Sequence, residues 1–328
     1  MEVFKLTLDQ MIVLFIFMLI GFILRKKKIE PQNAQTVLSR AVAYVFMPAM
    51  NILNLLKNAT VESFAENSSL LLYSVSLLAV MLLLSYPYTK VLFARDEKTP
   101  ENEYARSIYK YAFAMANFGY VGNVLILGVF GEAMLYKYQI FTLPLSIAVN
   151  SWGMYIMVPK HEGKGIGHLF KGLLNPLLIS VVLGFTCGML GVGEFLETSV
   201  PKVNEILLKL LDQASDCVGP VCMLLAGMVV GNYEMKSLFR NPKVYITTFL
   251  RLIGIPAVMM GVLKLLGTPD EVLSLALIAF ATPIGLNVIV FPATYGSDTK
   301  PGAGMVLISN VLAVATIPLM YLLFVELL

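Results

Sequence analysis

Charge is scarce in this chain: only 14% of its 328 residues are Asp, Glu, Lys or Arg, where soluble domains carry about a quarter. With 58% of residues apolar and a mean hydropathy of +0.77, a soluble globule of this length has too small an interior to hide them. The surplus must face lipid. Histidine is nearly absent, with only His161 and His168, both in one loop, so no apolar segment carries an imidazole base. The three cysteines, Cys187, Cys217 and Cys222, lie in apolar stretches without metal-ligand spacing. Cys217 and Cys222 point roughly 140° apart on a helix, and all three read as small packing residues. There is no Gly-x-x-x-x-Gly-Lys phosphate loop, no pair of acids within an apolar segment and no nucleophile beside a base. Nucleotide-driven and catalytic functions are thereby disfavoured, and no cofactor or metal is expected. Basic residues fall in short runs between apolar segments, not along an aromatic-interleaved face, which excludes nucleic acid as a partner.

Apolar length is what the chain has instead. A helix needs about 20 residues to cross a hydrocarbon core of about 30 Å. Ten windows qualify: 8–24, 35–56, 68–94, 105–130, 137–158, 173–193, 203–231, 243–266, 271–295 and 303–327. The first, Leu8 to Leu24, is followed by Arg25-Lys26-Lys27-Lys28 where a signal peptide would have a small-residue cleavage site, so it reads as a retained span. The expected fold is an all-α polytopic membrane protein of ten transmembrane helices with no sizeable soluble domain.

Loops after the odd-numbered segments hold 16 Lys and Arg, against six on the other side, with Arg40 and Arg251 set aside as lying in or near segments. Basic loops face the cytoplasm, so both termini are expected outside a multi-pass cell-membrane protein. Termini on one side also require an even number of spans.

The halves match in order. Ala116-Asn117-Phe118-Gly119-Tyr120-Val121-Gly122-Asn123 aligns with Ala281-Thr282-Pro283-Ile284-Gly285-Leu286-Asn287-Val288, and the same offset pairs Gly131 with Gly296. Phe46-Met47-Pro48 matches Val218-Gly219-Pro220, Leu19-Ile20-Gly21-Phe22 matches Val182-Leu183-Gly184-Phe185, and Asn150 matches Asn310. Five segments per half is odd, so residues 161–328 must enter the membrane inverted relative to residues 1–160. Inverted repeats of this kind build many secondary transporters.

Segments four and nine concentrate the candidate binding residues. Gly119 and Gly122 in one, and Pro283 with Gly285 in the other, weaken the helix ladder at matching depths. A helix broken there exposes amide N–H groups that favour an anion without a buried lysine. Asn117, Asn123, Thr282 and Asn287 are placed to orient it. Pro48 and Pro220 are expected to kink segments two and seven and to line the same cavity. Of the few ionisable residues near segments, Asp216 precedes Pro220 by one turn, and Arg251 lies about two turns into segment eight. Three readings stand for them: Arg251 pairs with a substrate carboxylate while Asp216 holds a coupling proton or cation; the two neutralise each other; or Arg251, like Arg40, snorkels to the surface.

These segments resemble the auxin efflux carrier family, whose bacterial members include malate and malonate permeases. The resemblance rests on Val45-Phe46-Met47-Pro48-Ala49, on residues Asn117 to Asn123, on Pro220-Val221-Cys222-Met223-Leu224-Leu225-Ala226-Gly227, and on residues Ala281 to Asn287. It spans essentially the whole chain. It implies a fold like that of bile acid/sodium symporters, with scaffold helices roughly one, two, six and seven and transport helices roughly three to five and eight to ten. Segments four and nine would cross, with a small organic anion at the crossing, Asn117 and Asn287 facing it, and Pro283 at the second break. Segment one would help form a homodimer. Two departures are visible: Gly119, Gly122 and Asn123 stand where plant carriers show a proline, and Leu70 to Leu84 contains no acid where they place an aspartate.

Together these expectations describe elevator-type carriage of a mono- or dicarboxylate such as malate, malonate or an auxin-like acid, with H+ or Na+ coupling left open. A channel or a membrane sensor using the same broken-helix site is the alternative.

Overall fold

Three helices begin where the sequence supplies both a cap and a proline. The computed structural model describes residues 2–31, 33–157, 174–294 and 298–327; His161, His168, Gly296 and the 160/161 repeat boundary lie outside them. We label the helices α1 (Glu2–Lys26), α2 (Ala34–Asn58), α3 (Ser69–Leu92), α4a (Pro100–Ala114), α4b (118–130) and α5 (Glu132–Met157). The second half continues with α6a (Pro176–Met189), α6b (Val192–Ser199), α7 (Pro201–Gly231), α8 (Pro242–Leu265), α9a (Asp270–Ala281), α9b (Asn287–Thr294) and α10 (Lys300–Leu327). The side chains of Thr99, Asn175 and Asn241 accept backbone N–H bonds at the starts of α4a, α6a and α8, each just before a proline. There the proline's missing donor is harmless and its φ already fits the helix.

Among the described residues, eight helices are long and apolar enough to cross a membrane, and nine if α6a and α6b, bent by 63°, form one span. The straight sixth segment expected from the sequence is therefore bent. Gly191, with φ of 68°, starts α6b in the left-handed region that glycine tolerates best. The ninth segment is two short helices, of 12 and 8 residues, broken around Pro283 as its sequence predicts. Prolines shape other helices internally. Pro48 lacks the N–H that would reach the carbonyl of Tyr44, and α2 widens over Val42–Phe46 just before it. Pro256 follows a like widened turn, Leu250–Gly254, in α8.

Packing is reciprocal between the matched segments. α1 runs along the second half of α7, while α6a runs along α2 after Pro48. Gly21 and Gly184, matched in sequence, make these approaches: a Cβ on Gly21 would collide with the carbonyl of Leu224, and one on Gly184 would stand 2.9 Å from Leu55 Cβ. Small residues admitting close backbone contact drive helix association where lipid supplies no hydrophobic force. α9a is apolar all round and buried from Val272 to Ala281, the pattern of a central helix. α3 and α6a instead expose Leu72, Leu83, Val182 and Leu183.

Among the described residues, the loops after segments one, three, seven and nine meet at one end of the bundle. Arg25 and Lys26 bond to Asn232 and to the Tyr233 carbonyl, Lys243 pairs with Asp96, and Tyr233 donates to Thr299 Oγ1 at 2.7 Å. At the other end, Lys57 pairs with Glu132 at 3.0 Å and Lys137 with Glu271. There the Phe4 amide donates to Glu326 Oε1 at 3.1 Å, bringing both ends of the chain together.

Candidate functional site: the crossing of two broken helices

α4a and α9a end inside the bundle, and the chain segments that follow them are tied together. The Asn117 N–H donates to the Pro283 carbonyl at 2.8 Å. In an unbroken helix that N–H would serve the carbonyl of Phe113, four residues back. The Phe113 carbonyl instead accepts from Arg251 Nη1 at 3.3 Å. One helical bond is thus opened, and each of its groups is satisfied by a different helix. On the other side, Pro283 has no N–H to continue α9a. Thr282 is extended before it, with φ of −63° and ψ of 153°, as the pre-proline position favours. The Ile284 N–H is taken by Ser309 Oγ of α10 at 3.0 Å.

Past the breaks, α4b and α9b begin with free donors. The backbone N–H groups of Phe118, Gly119 and Tyr120, and of Gly285, Leu286 and Asn287, have no hydrogen-bond partner among the described residues. Two helix N-termini therefore converge, and each concentrates partial positive charge on its first-turn amides.

The break in the fourth segment falls at residues 115–117 and not at its glycines. Gly119 and Gly122 lie in the widened turn Phe118–Gly122 that opens α4b. The reason is the exchange just described: Asn117 and Phe113 find partners elsewhere, so no glycine is needed to interrupt the ladder. Gly122 instead gives way to a neighbour. A Cβ there would collide with the hydroxyl of Tyr138, which donates to the Phe118 carbonyl at 3.2 Å. A Cβ on Gly119 would meet nothing within 4 Å.

Several predicted residues do come together. The Cβ position of Gly285 lies 3.5 Å from Asn117 Oδ1, beside the Asn117–Pro283 bond. Thr282 and Asn123 are buried, and Thr282 Oγ1 and Asn123 Oδ1 have no partner among the described residues. Asn287, half-buried, donates through Nδ2 to Tyr111 Oη at 2.9 Å. Tyr111 in turn stacks on Trp152, with ring centres 6.5 Å apart. The matched Asn150 and Asn310 do the same thing in each half, each donating to its i−4 carbonyl at 2.8 Å.

Others are placed differently. Pro220 follows an interruption of α7 at Cys217, and its neighbour Gly219 faces Val124 of α4b. The widened turn before Pro48 packs on α6a and α7. Asp216 is exposed at the end of the first part of α7, whereas Arg251 is 0% exposed, and no ion pair joins them. Both the mutual-neutralisation reading and the snorkelling of Arg251 are thereby corrected, whereas Arg40 is exposed. Burial of Arg251 follows from its place in the widened turn of α8, facing the carbonyl end of α4a. The sequence reading missed Tyr111 and Ser309. Ser309 had a signal in its neighbour Asn310, and Tyr111 had none. A small apolar crevice adjoins the crossing, lined by Met11, Leu14, Met18, Val121, Met223 and Asn310 among others.

An apolar helical bundle with two interior helix breaks joined to each other is the architecture of a membrane transporter. The chain belongs to the membrane transport protein family, the auxin efflux carrier family of the sequence resemblance, whose model matches residues 6–167 and 165–321. It is also similar to an uncharacterized transporter of Methanocaldococcus jannaschii, 22% identical over 316 residues that cover 96% of this chain and 97% of the relative. It is a transporter and not an enzyme.

Proposed function

We propose that the protein is a secondary carrier of a small organic anion, a mono- or dicarboxylate, seated where α4b and α9b begin. The observation that carries this reading is the bond from Asn117 N–H to the Pro283 carbonyl, which holds two helix N-termini together, with six amides at or just before them unpartnered among the described residues. Such amides recognise a carboxylate by directed N–H bonds and partial charge, and they release it more readily than a fixed lysine would. Asn117, Asn123, Thr282 and Asn287 orient the ligand, with Gly119 leaving room beside it.

Movement is of the elevator type. The reciprocal packing of α1 on α7 and α6a on α2 supports a scaffold of helices one, two, six and seven. The crossing moves with helices three to five and eight to ten. The same reciprocity supports two inverted repeats, residues 1–160 and 161–328. By the positive-inside rule the basic end faces the cytoplasm, so both termini lie outside the cell membrane. A homodimer through α1 follows the family resemblance.

The test is a thermal-shift screen of purified protein against malate, malonate, aromatic monocarboxylates and their neutral analogues. A ligand that binds the folded state raises the melting temperature with concentration. One carboxylate should stabilise the native protein, and Asn117→Ala and Asn287→Ala should each weaken that affinity about tenfold, the loss of a hydrogen bond or two to a charged group. Stabilisation by neutral or cationic compounds alone would overturn the anion site, and undiminished binding by both variants would move it elsewhere.

A further inference from the structure

Arg251 heads the wholly buried side chains of the protein, and no carboxylate offsets it. The ion pairs among the described residues join Arg25 to Glu30, Lys57 to Glu132, Lys137 to Glu271 and Lys243 to Asp96. Its Nη1 donates to the Phe113 carbonyl at 3.3 Å, while Nε and Nη2 have no partner among the described residues. Its Cζ stands 6.0 Å from the ring centre of Phe280. Phe113 and Phe280 are each the residue before the last in their half-helices, α4a and α9a. The guanidinium therefore lies against the last turn of α4a through a carbonyl and against the last turn of α9a through an aromatic ring.

A buried cation without a counter-ion is strongly disfavoured unless its surroundings carry negative potential. Helix C-termini supply it, through carbonyls that no amide satisfies. In carriers built from broken helices, these carbonyl ends are where a coupling cation binds. Here a side chain of the protein already satisfies one of them. Arginine suits the task better than lysine, having five donors in a rigid fork and remaining charged at any physiological pH.

We propose that Arg251 is a tethered cation holding the electrostatic place of a coupling ion at the paired half-helix C-termini, so that anion carriage by this protein needs no sodium. This rests on the anion-carrier reading for its cargo; the hydrogen bond of Arg251 goes to the Phe113 carbonyl and not to a side chain proposed to orient the cargo. Because this charge returns with the empty carrier, the net charge moved in a complete cycle is that of the carried anion alone.

The experiment compares native protein and Arg251→Ala by thermal shift, using sodium alone, methylguanidinium alone, and malate or malonate, each at constant ionic strength. The native melting temperature should not respond to replacing sodium by N-methyl-D-glucamine, and any carboxylate affinity should stay within about twofold. Arg251→Ala should melt lower and be restabilised, saturably, by millimolar methylguanidinium but not by sodium. Saturable stabilisation of the native protein by sodium, or a variant as stable as the native and indifferent to methylguanidinium, would overturn the assignment. If Arg251→Ala does not fold, the native sodium comparison decides alone. Carboxylate binding that requires sodium would sink this proposal and leave the anion site standing. Sodium indifference and methylguanidinium rescue without any carboxylate response would do the reverse.

Discussion

The two breaks at the crossing occupy matched sequence positions and are built by different means. In the ninth segment, Pro283 removes a donor and forces Thr282 out of the helical region, so the interruption is written into two adjacent residues. In the fourth, residues 115–117 include neither glycine nor proline. There the ladder opens because Arg251 takes the Phe113 carbonyl and the Pro283 carbonyl takes the Asn117 amide. The matched positions just beyond also differ: Ile284 is fully buried with its N–H held by Ser309, while Gly119 faces open space. The α9 side is sealed and anchored, and the α4 side is open. Matched sequence positions thus give an asymmetric site, with the proposed ligand reaching it past α4b.

The largest stability effect expected from breaking this contrast is at Gly122. Alanine there would push against the Tyr138 hydroxyl, and overpacking of this kind costs about 1–3 kcal/mol. Adding Tyr138→Phe should recover much of the loss; if denaturation shows no recovery, the close approach is not what requires glycine. Ser309→Ala comes next, since it strands the buried Ile284 N–H and should cost about 1–2 kcal/mol. If the α9 side is the anchored one, hydrogen exchange should rise around residues 282–286 with little change at 115–119. Equal loosening of both breaks would erase the distinction drawn here. Gly119→Ala should be the mildest, within about 0.5 kcal/mol of native stability because its Cβ meets nothing. The same variant should nonetheless weaken carboxylate binding severalfold. Unchanged binding would mean the open space beside Gly119 is not where the ligand sits.

Much of this was legible along the chain. Apolar runs of membrane length located the helices, because lipid demands both length and internally satisfied backbone. Among the described residues, the loops after segments one, three, seven and nine meet at one end, and Phe4 and Glu326 meet at the other. Thr282-Pro283 marked a break in its correct place because a proline acts on its own neighbours. Gly119 and Gly122 misled for a related reason: they weaken a helix locally, but nothing local requires it to open there. The bend at Gly191 was hidden inside a window of continuous hydropathy, since apolarity reports burial and not direction.

What the sequence by itself determined is therefore the membrane class, the order and ends of most helices and the proline-made break. Only the tertiary structure decided that the fourth segment opens at residues 115–117, that Arg251 is buried against two helix ends instead of paired with Asp216, and that Ser309 and Tyr111 hold the crossing together. The physical reason is the reach of each effect. A missing donor or a long apolar run acts within a few residues, whereas a freed peptide group stays free only if distant helices bring it a partner.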